Sequence, residues 1–112
     1  MFHPEDKISL TKIGVAENGE IPSATWEEYA LGVENAKSVP IGYEIQGVLL
    51  SSIEAGRAVV IYRTHRNGLA VHGVTETSTI INIKLIDNGL ILSTLNSIYL
   101  MQSSSQERKV FL

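Results

Sequence analysis

The sequence predicts an all-β fold: a small antiparallel barrel of about six short strands, SH3-like before OB-like, preceded by an N-terminal arm with one short helix. Three observations carry this expectation. Short segments rich in Ile, Val, Tyr and Thr follow one another through Tyr43–Leu50, Ala58–His65, Leu69–Val74, Ser78–Ile86, Leu90–Leu95 and Ile98–Gln102. Two Asn-Gly pairs, Asn67-Gly68 and Asn88-Gly89, separate them where hairpins are expected, because both residue types tolerate the positive φ of a type I′ turn. No stretch between them is long enough for a crossover helix, so neighbouring strands must run antiparallel.

The chain divides by composition. Residues 1–42 hold seven acids against three bases and all three prolines, Pro4, Pro22 and Pro40. Residues 43–112 hold five acids against six bases. We read 1–42 as an acidic arm packed on the barrel, 43–102 as the barrel, and 103–112 as a flexible polar tail. Within the arm, Lys7–Ile13 alternates, with Ile8 and Leu10 on one parity and Lys7, Ser9 and Thr11 on the other, which fits a strand. Thr25 followed three residues later by Glu28 fits a capping box, and Gly32 supplies a stop. Trp26, Tyr29, Ala30 and Val33 then share one helical face, suited to covering the β unit.

The first hairpin gathers charged groups. With Asn67-Gly68 as its two-residue loop, His65 opposes Ala70 and Arg63 opposes His72, so Arg63, His65 and His72 project from one face near the tip, with Arg66 beside the turn. One arginine and two imidazoles suit a phosphate or carboxylate. The plainer reading is a solvated hairpin tip. A two-residue Asn88-Gly89 loop in the second hairpin places Ile83, Leu85, Leu90 and Leu92 on one face. It sets Ile86 directly opposite Ile91 on the other, leaving apolar surface that the arm or a second subunit must cover. The hydroxyl-rich segments Thr75–Thr79 and Ser93–Ser97 would line a polar groove if they are neighbours, with Asn96 adding amide donors.

Several functions lose support. The chain has no cysteine, which removes disulfides, thiolate metal sites and cysteine nucleophiles. His3, His65 and His72 stand in no metal-ligand spacing, and no nucleophile elbow or phosphate-cradling glycine loop occurs. No catalytic residue, metal or cofactor is therefore expected. A secretory leader and a spanning helix are not expected either, and with the lack of cysteine this favours the cytoplasm. The net charge of −3 works against a nucleic-acid-binding barrel, as does Tyr62, which falls on the opposite face of its strand from Arg63. The reading that remains is a non-catalytic protein–protein interaction or assembly module, self-associating as a homodimer through Ile86 and Ile91 or binding another protein. Nucleic-acid binding is the alternative, and anion binding at the 63–72 hairpin tip the third.

Overall fold

The computed structural model describes residues 2–17, 19, 21–32 and 37–104. It contains one antiparallel sheet of seven strands: β1 (Lys7–Val15), β2 (Glu44–Leu49), β3 (Val60–Arg66), β4 (Leu69–Glu76), β5 (Ile80–Ile86), β6 (Gly89–Thr94) and β7 (Ser97–Ser103). A five-residue helix, α1 (Trp26–Ala30), lies between β1 and β2. The spatial order is β4-β3-β2-β1-β7-β6-β5, so two three-stranded meanders flank β1. The alternating segment Lys7–Ile13 is thus the central strand, not an appendage to a β unit that starts at 43. It pairs with β2 through Leu10 and Ile45, and with β7 through Leu10 and Met101.

The connection from β4 to β5 dictates the shape. These strands occupy opposite edges, yet only Thr77, Ser78 and Thr79 join them. Four residue steps reach about 14 Å at most, whereas the edges of a flat seven-stranded sheet lie about 29 Å apart. The sheet must therefore curl until its edges approach. Its concave face holds Ile8, Leu10, Ile45, Leu49, Val59, Ile61, Ile80, Leu90, Leu92 and Met101, a single buried apolar cluster. Glycines permit the tight approach of neighbouring strands: a Cβ on Gly47 would stand 2.1 Å from the Tyr62 carbonyl oxygen, and one on Gly89 2.1 Å from that of Met101.

The curl stops short of the expected closed barrel, and the sheet remains open between β4 and β5. The start of β5 meets the connection between β2 and β3 instead. The Ile80 amide donates to Arg57 O at 2.9 Å, and the Gly56 amide donates to Ile80 O at 2.8 Å. The Thr77 amide similarly reaches Val59 O at 3.0 Å. Residues 56–59 occupy the seam that an edge-to-edge ladder would need.

The second hairpin differs from its expected register. Ile86 pairs with Gly89 and Lys84 with Ile91, so the two-residue turn is Asp87-Asn88 and Ile86 does not oppose Ile91. Neither turn residue has positive φ. Gly89 serves the close approach to Met101 rather than the turn, which is why Asn-Gly misleads here. The shift is two residues in the pairing sum, so side-chain parity survives. Ile83, Leu85, Leu90 and Leu92 still share the concave face, although Leu85, on the edge strand, stays exposed.

The segment after β1 covers one end of the curl. The capping box forms as expected: the Glu28 amide donates to Thr25 Oγ1 at 3.1 Å, and the Thr25 amide donates to Glu28 Oε1 at 2.9 Å. Gly32, at φ 78°, turns the chain out of the helix. Val33 and the tail from 105 onward lie outside the described residues. What fastens this cover is Lys12, which follows Ile8 and Leu10 on the inward parity of β1 and is completely buried. Its ammonium donates to Ser23 Oγ at 3.0 Å, Ser38 Oγ at 2.7 Å and Val39 O at 2.7 Å. Three donors meet three oxygens, and Ser23 and Ser38 are themselves bridged through their backbones.

Two outcomes follow from this architecture. Gly47→Ala forces a backbone clash that no rotamer relieves, and should cost about 2–3 kcal/mol in urea denaturation. The second concerns Lys12, whose pKa burial pushes below the ordinary lysine value. Between the lowered and the ordinary value the unfolded chain binds more protons than the folded one, so stability rises with pH across that window. Lys12→Met should remove this rise between neutral pH and about 9.5, and the tyrosines, common to both proteins, cancel from the comparison. Denaturation of both proteins at the two pH values measures the difference in slope.

Candidate functional site

The β3–β4 hairpin carries the charged residues singled out in the sequence. Its turn is the expected one: Asn67 and Gly68 have φ of 50° and 85°, Arg66 pairs with Leu69, and His65 pairs with Ala70. Asn67 also anchors the tip to β2. Its side-chain oxygen accepts from the Glu44 amide at 2.9 Å, and its own amide donates to Glu44 O at 2.7 Å. Beyond His65 the register changes. Arg63 pairs with Gly73 rather than His72, and on the other side it pairs with Gly47 while His65 pairs with Gln46. Thr64 is the extra residue of a β-bulge, and a bulge reverses the facing of every side chain beyond it.

This one residue divides the predicted cluster. Arg63 and Arg66 face the concave side, with Ile61 and Ile45, whereas His65 and His72 face the convex side. On the convex side the Tyr62 hydroxyl stands 3.2 Å from His72 Nδ1, and Thr64 Oγ1 stands 2.9 Å from His65 Nδ1. The four residues do not form a single clamp. Strict alternation cannot reveal a bulge, so the expected grouping of Arg63 with both histidines is not what the structure has.

The concave side supplies other neighbours. Arg63 is buried, its Nε donates to Val71 O at 2.8 Å, and its guanidinium lies over Gly73. A Cβ on Gly73 would stand 2.9 Å from Arg63 Nη2, so the absent side chain makes room for the cation. Arg66 lies beside Tyr43, and its Nε is buried without a hydrogen-bond partner. Burial pushes the Tyr43 phenol up from its ordinary pKa, and the nearby Arg66 charge offsets part of that rise. Tyr43 meets Tyr29 edge to face at 5.7 Å, and Tyr29 meets Trp26 in the same way at 5.7 Å. The Trp26 indole donates to Ile41 O at 2.9 Å, which fixes the outermost ring. Among the described residues, neither arginine has a carboxylate within ion-pair distance. In the sequence Tyr62 is the aromatic residue weighed beside these arginines; the signal for Tyr43 is its shared parity with Ile45, and that for α1 is the helical spacing of Trp26 and Tyr29.

Two further surfaces stand out. On the convex side, Ile86 and Ile91 are half-buried, and cross-strand pairing continues from Ile91 to Leu100, with Ile98 next along β7. Ile81 and Leu95 add exposed apolar surface to a cleft of about 400 Å³ that Ile98 also lines. The hydroxyl-rich segments are neighbours, as the groove reading required. Thr77, Ser78, Asn96 and Ser97 line a cavity of about 570 Å³ with Lys37, Glu76 and Tyr99. Most of those hydroxyls are already engaged, however. Thr77 Oγ1 accepts from the Val59 amide, Ser78 Oγ accepts from the Asn96 amide, and Thr94 Oγ1 donates to Ser97 O. They hold the β4–β5 link to the sheet.

Among the described residues, no group of three or more histidine, aspartate or glutamate side chains is placed to hold a metal ion. No described helix is long and apolar enough to cross a membrane. Comparison with protein-family models, with curated proteins and with solved structures finds no match to this chain.

Proposed function

We propose that this protein is a non-catalytic interaction module that pairs with a second copy of itself through the convex face of β5, β6 and β7. The observation that carries the reading is the apolar row on that face, Ile86, Ile91, Ile98 and Leu100, on the side of the sheet away from the core. Of the described residues in the acidic N-terminal segment, the other candidate cover in the sequence, Ala16 and Glu17 border this surface at its Ile98 end. The helix of that segment goes to Tyr43 at the opposite end of the sheet, and Lys12 ties the following turns to the concave side. Removing such a patch from water yields about 25 cal/mol per Å², and a two-fold pair buries the same patch on both partners.

Face-to-face packing suits this surface better than extension of the sheet along β5. Lys84 projects from the convex side of that edge strand, and a lysine on an edge discourages a further strand from pairing. In a two-fold pair the lysines remain at the rim, in water, while the isoleucines occupy the centre.

Sedimentation equilibrium at micromolar concentration should return twice the 12.3 kDa chain mass. Ile86→Lys combined with Ile91→Lys should return a monomer with an unchanged strand signal in circular dichroism. A wild-type monomer across that concentration range contradicts the reading.

A further inference from the structure

We propose that the concave end of the β2–β3–β4 meander is a binding site for a small phosphate monoester, with Arg63 and Arg66 holding the phosphate and Tyr43, Tyr29 and Trp26 walling the organic part. The site is separate from the convex face and does not depend on self-association.

The first argument is electrostatic. A buried charge is ordinarily paired, because desolvation without compensation is costly. Among the described residues, Arg63 is buried with a single hydrogen bond, to the Val71 carbonyl, and no carboxylate pairs with it or with Arg66. Arg66 additionally leaves its Nε buried and unbonded. Two adjacent guanidinium groups that the described residues do not neutralise match a dianion better than a single carboxylate. A phosphate monoester carries nearly two negative charges at neutral pH and offers three acceptor oxygens.

The second argument is geometric. With Nε of Arg63 committed to Val71 O, the two terminal nitrogens remain as a fork for two oxygens, the arrangement that arginine uses for bidentate recognition. Gly73 leaves space for that fork where any side chain would crowd it. The Thr64 bulge turns Arg66 onto the same face as Arg63, three residues away, which strict alternation forbids. Tyr43 shares this face through its parity with Ile45 and Gly47, and its edge-to-face contacts with Tyr29 and Trp26 extend an aromatic wall outward from the arginines. A ring carried by the phosphate would meet that wall. A net charge of −3 and a site of two cations favour one phosphate over a polyanionic strand.

Isothermal titration with inorganic phosphate, phenyl phosphate and benzoate tests the assignment on the full chain. Phenyl phosphate should bind with saturation at one per chain, more tightly than inorganic phosphate, which lacks the ring, and than benzoate, which lacks the second charge. Arg63→Met and Arg66→Gln should each weaken phenyl phosphate about tenfold or more, the expected loss of a charge-assisted hydrogen bond. Their melting temperatures should not fall, because Arg63 is a buried charge and Arg66 a half-buried one, and neither has an acidic partner among the described residues. Tyr43→Leu serves if Arg63→Met fails to fold; it should narrow the gap between phenyl phosphate and inorganic phosphate. Absence of saturable binding at millimolar phenyl phosphate overturns the proposal, as does binding undiminished in both arginine variants. A short single-stranded oligonucleotide that binds through the same arginines more tightly than phenyl phosphate overturns the small-ligand assignment.

Discussion

Three residues, Thr77 to Thr79, join the two outermost strands of the sheet, and the rest of the architecture answers to that short tether. A flat sheet cannot satisfy it. Curling makes one face concave and therefore dry, which sets where Ile8, Leu10, Leu49, Ile61, Leu92 and Met101 must point. It also demands places where neighbouring strands approach closely, and glycine supplies them at 47 and 89. The tether itself is held by hydroxyls: Thr77 bonds the Val59 amide, and Ser78 bonds the Asn96 amide. A threonine- and serine-rich stretch that resembles a binding groove in the sequence is thus the fastening of the fold.

Curling leaves an open mouth, which the chain between β1 and β2 covers. Lys12 lies at the end of an inward row that starts with Ile8 and Leu10, and there it exchanges water for two hydroxyls and a carbonyl. Desolvation lowers its pKa, so the cover carries an electrostatic cost that neighbouring dipoles only partly offset. The same segment brings α1 to Tyr43 and completes a run of three rings beside two arginines. Cover and candidate site are consequently one structure, and loosening the first would displace the second.

Much of the fold was legible because it rests on local patterning. Period-two alternation located β1, richness in Ile, Val, Tyr and Thr located the other strands, Asn67-Gly68 located the first turn, and Thr25 with Glu28 located the helix start. Parity assigned the concave face of the second hairpin correctly even though Gly89 was mistaken for a turn residue. Properties that depend on partners distant in sequence were not legible. Nothing in Lys7–Ile13 says that it will be the central strand, and nothing in Ile80 says that it will bond to Arg57 rather than to an edge strand. The site suffered most from a single residue. Thr64 has the composition of an ordinary strand position, yet as a bulge it sends His65 and His72 to one side and Arg63 and Arg66 to the other.

We propose that this bulged, curled sheet has two independent working faces, a concave cationic–aromatic end and a convex apolar one. Chemical-shift mapping of isotopically labelled protein tests it directly, with two series recorded on the same sample: dilution, and addition of phenyl phosphate. Dilution should move Ile86, Ile91, Ile98 and Leu100, phenyl phosphate should move Arg63, Arg66, Tyr43 and Tyr29, and the two sets should not overlap. Shifts at His65 and His72 together with Arg63 on phosphate addition, or shifts at the convex isoleucines in both series, would contradict it.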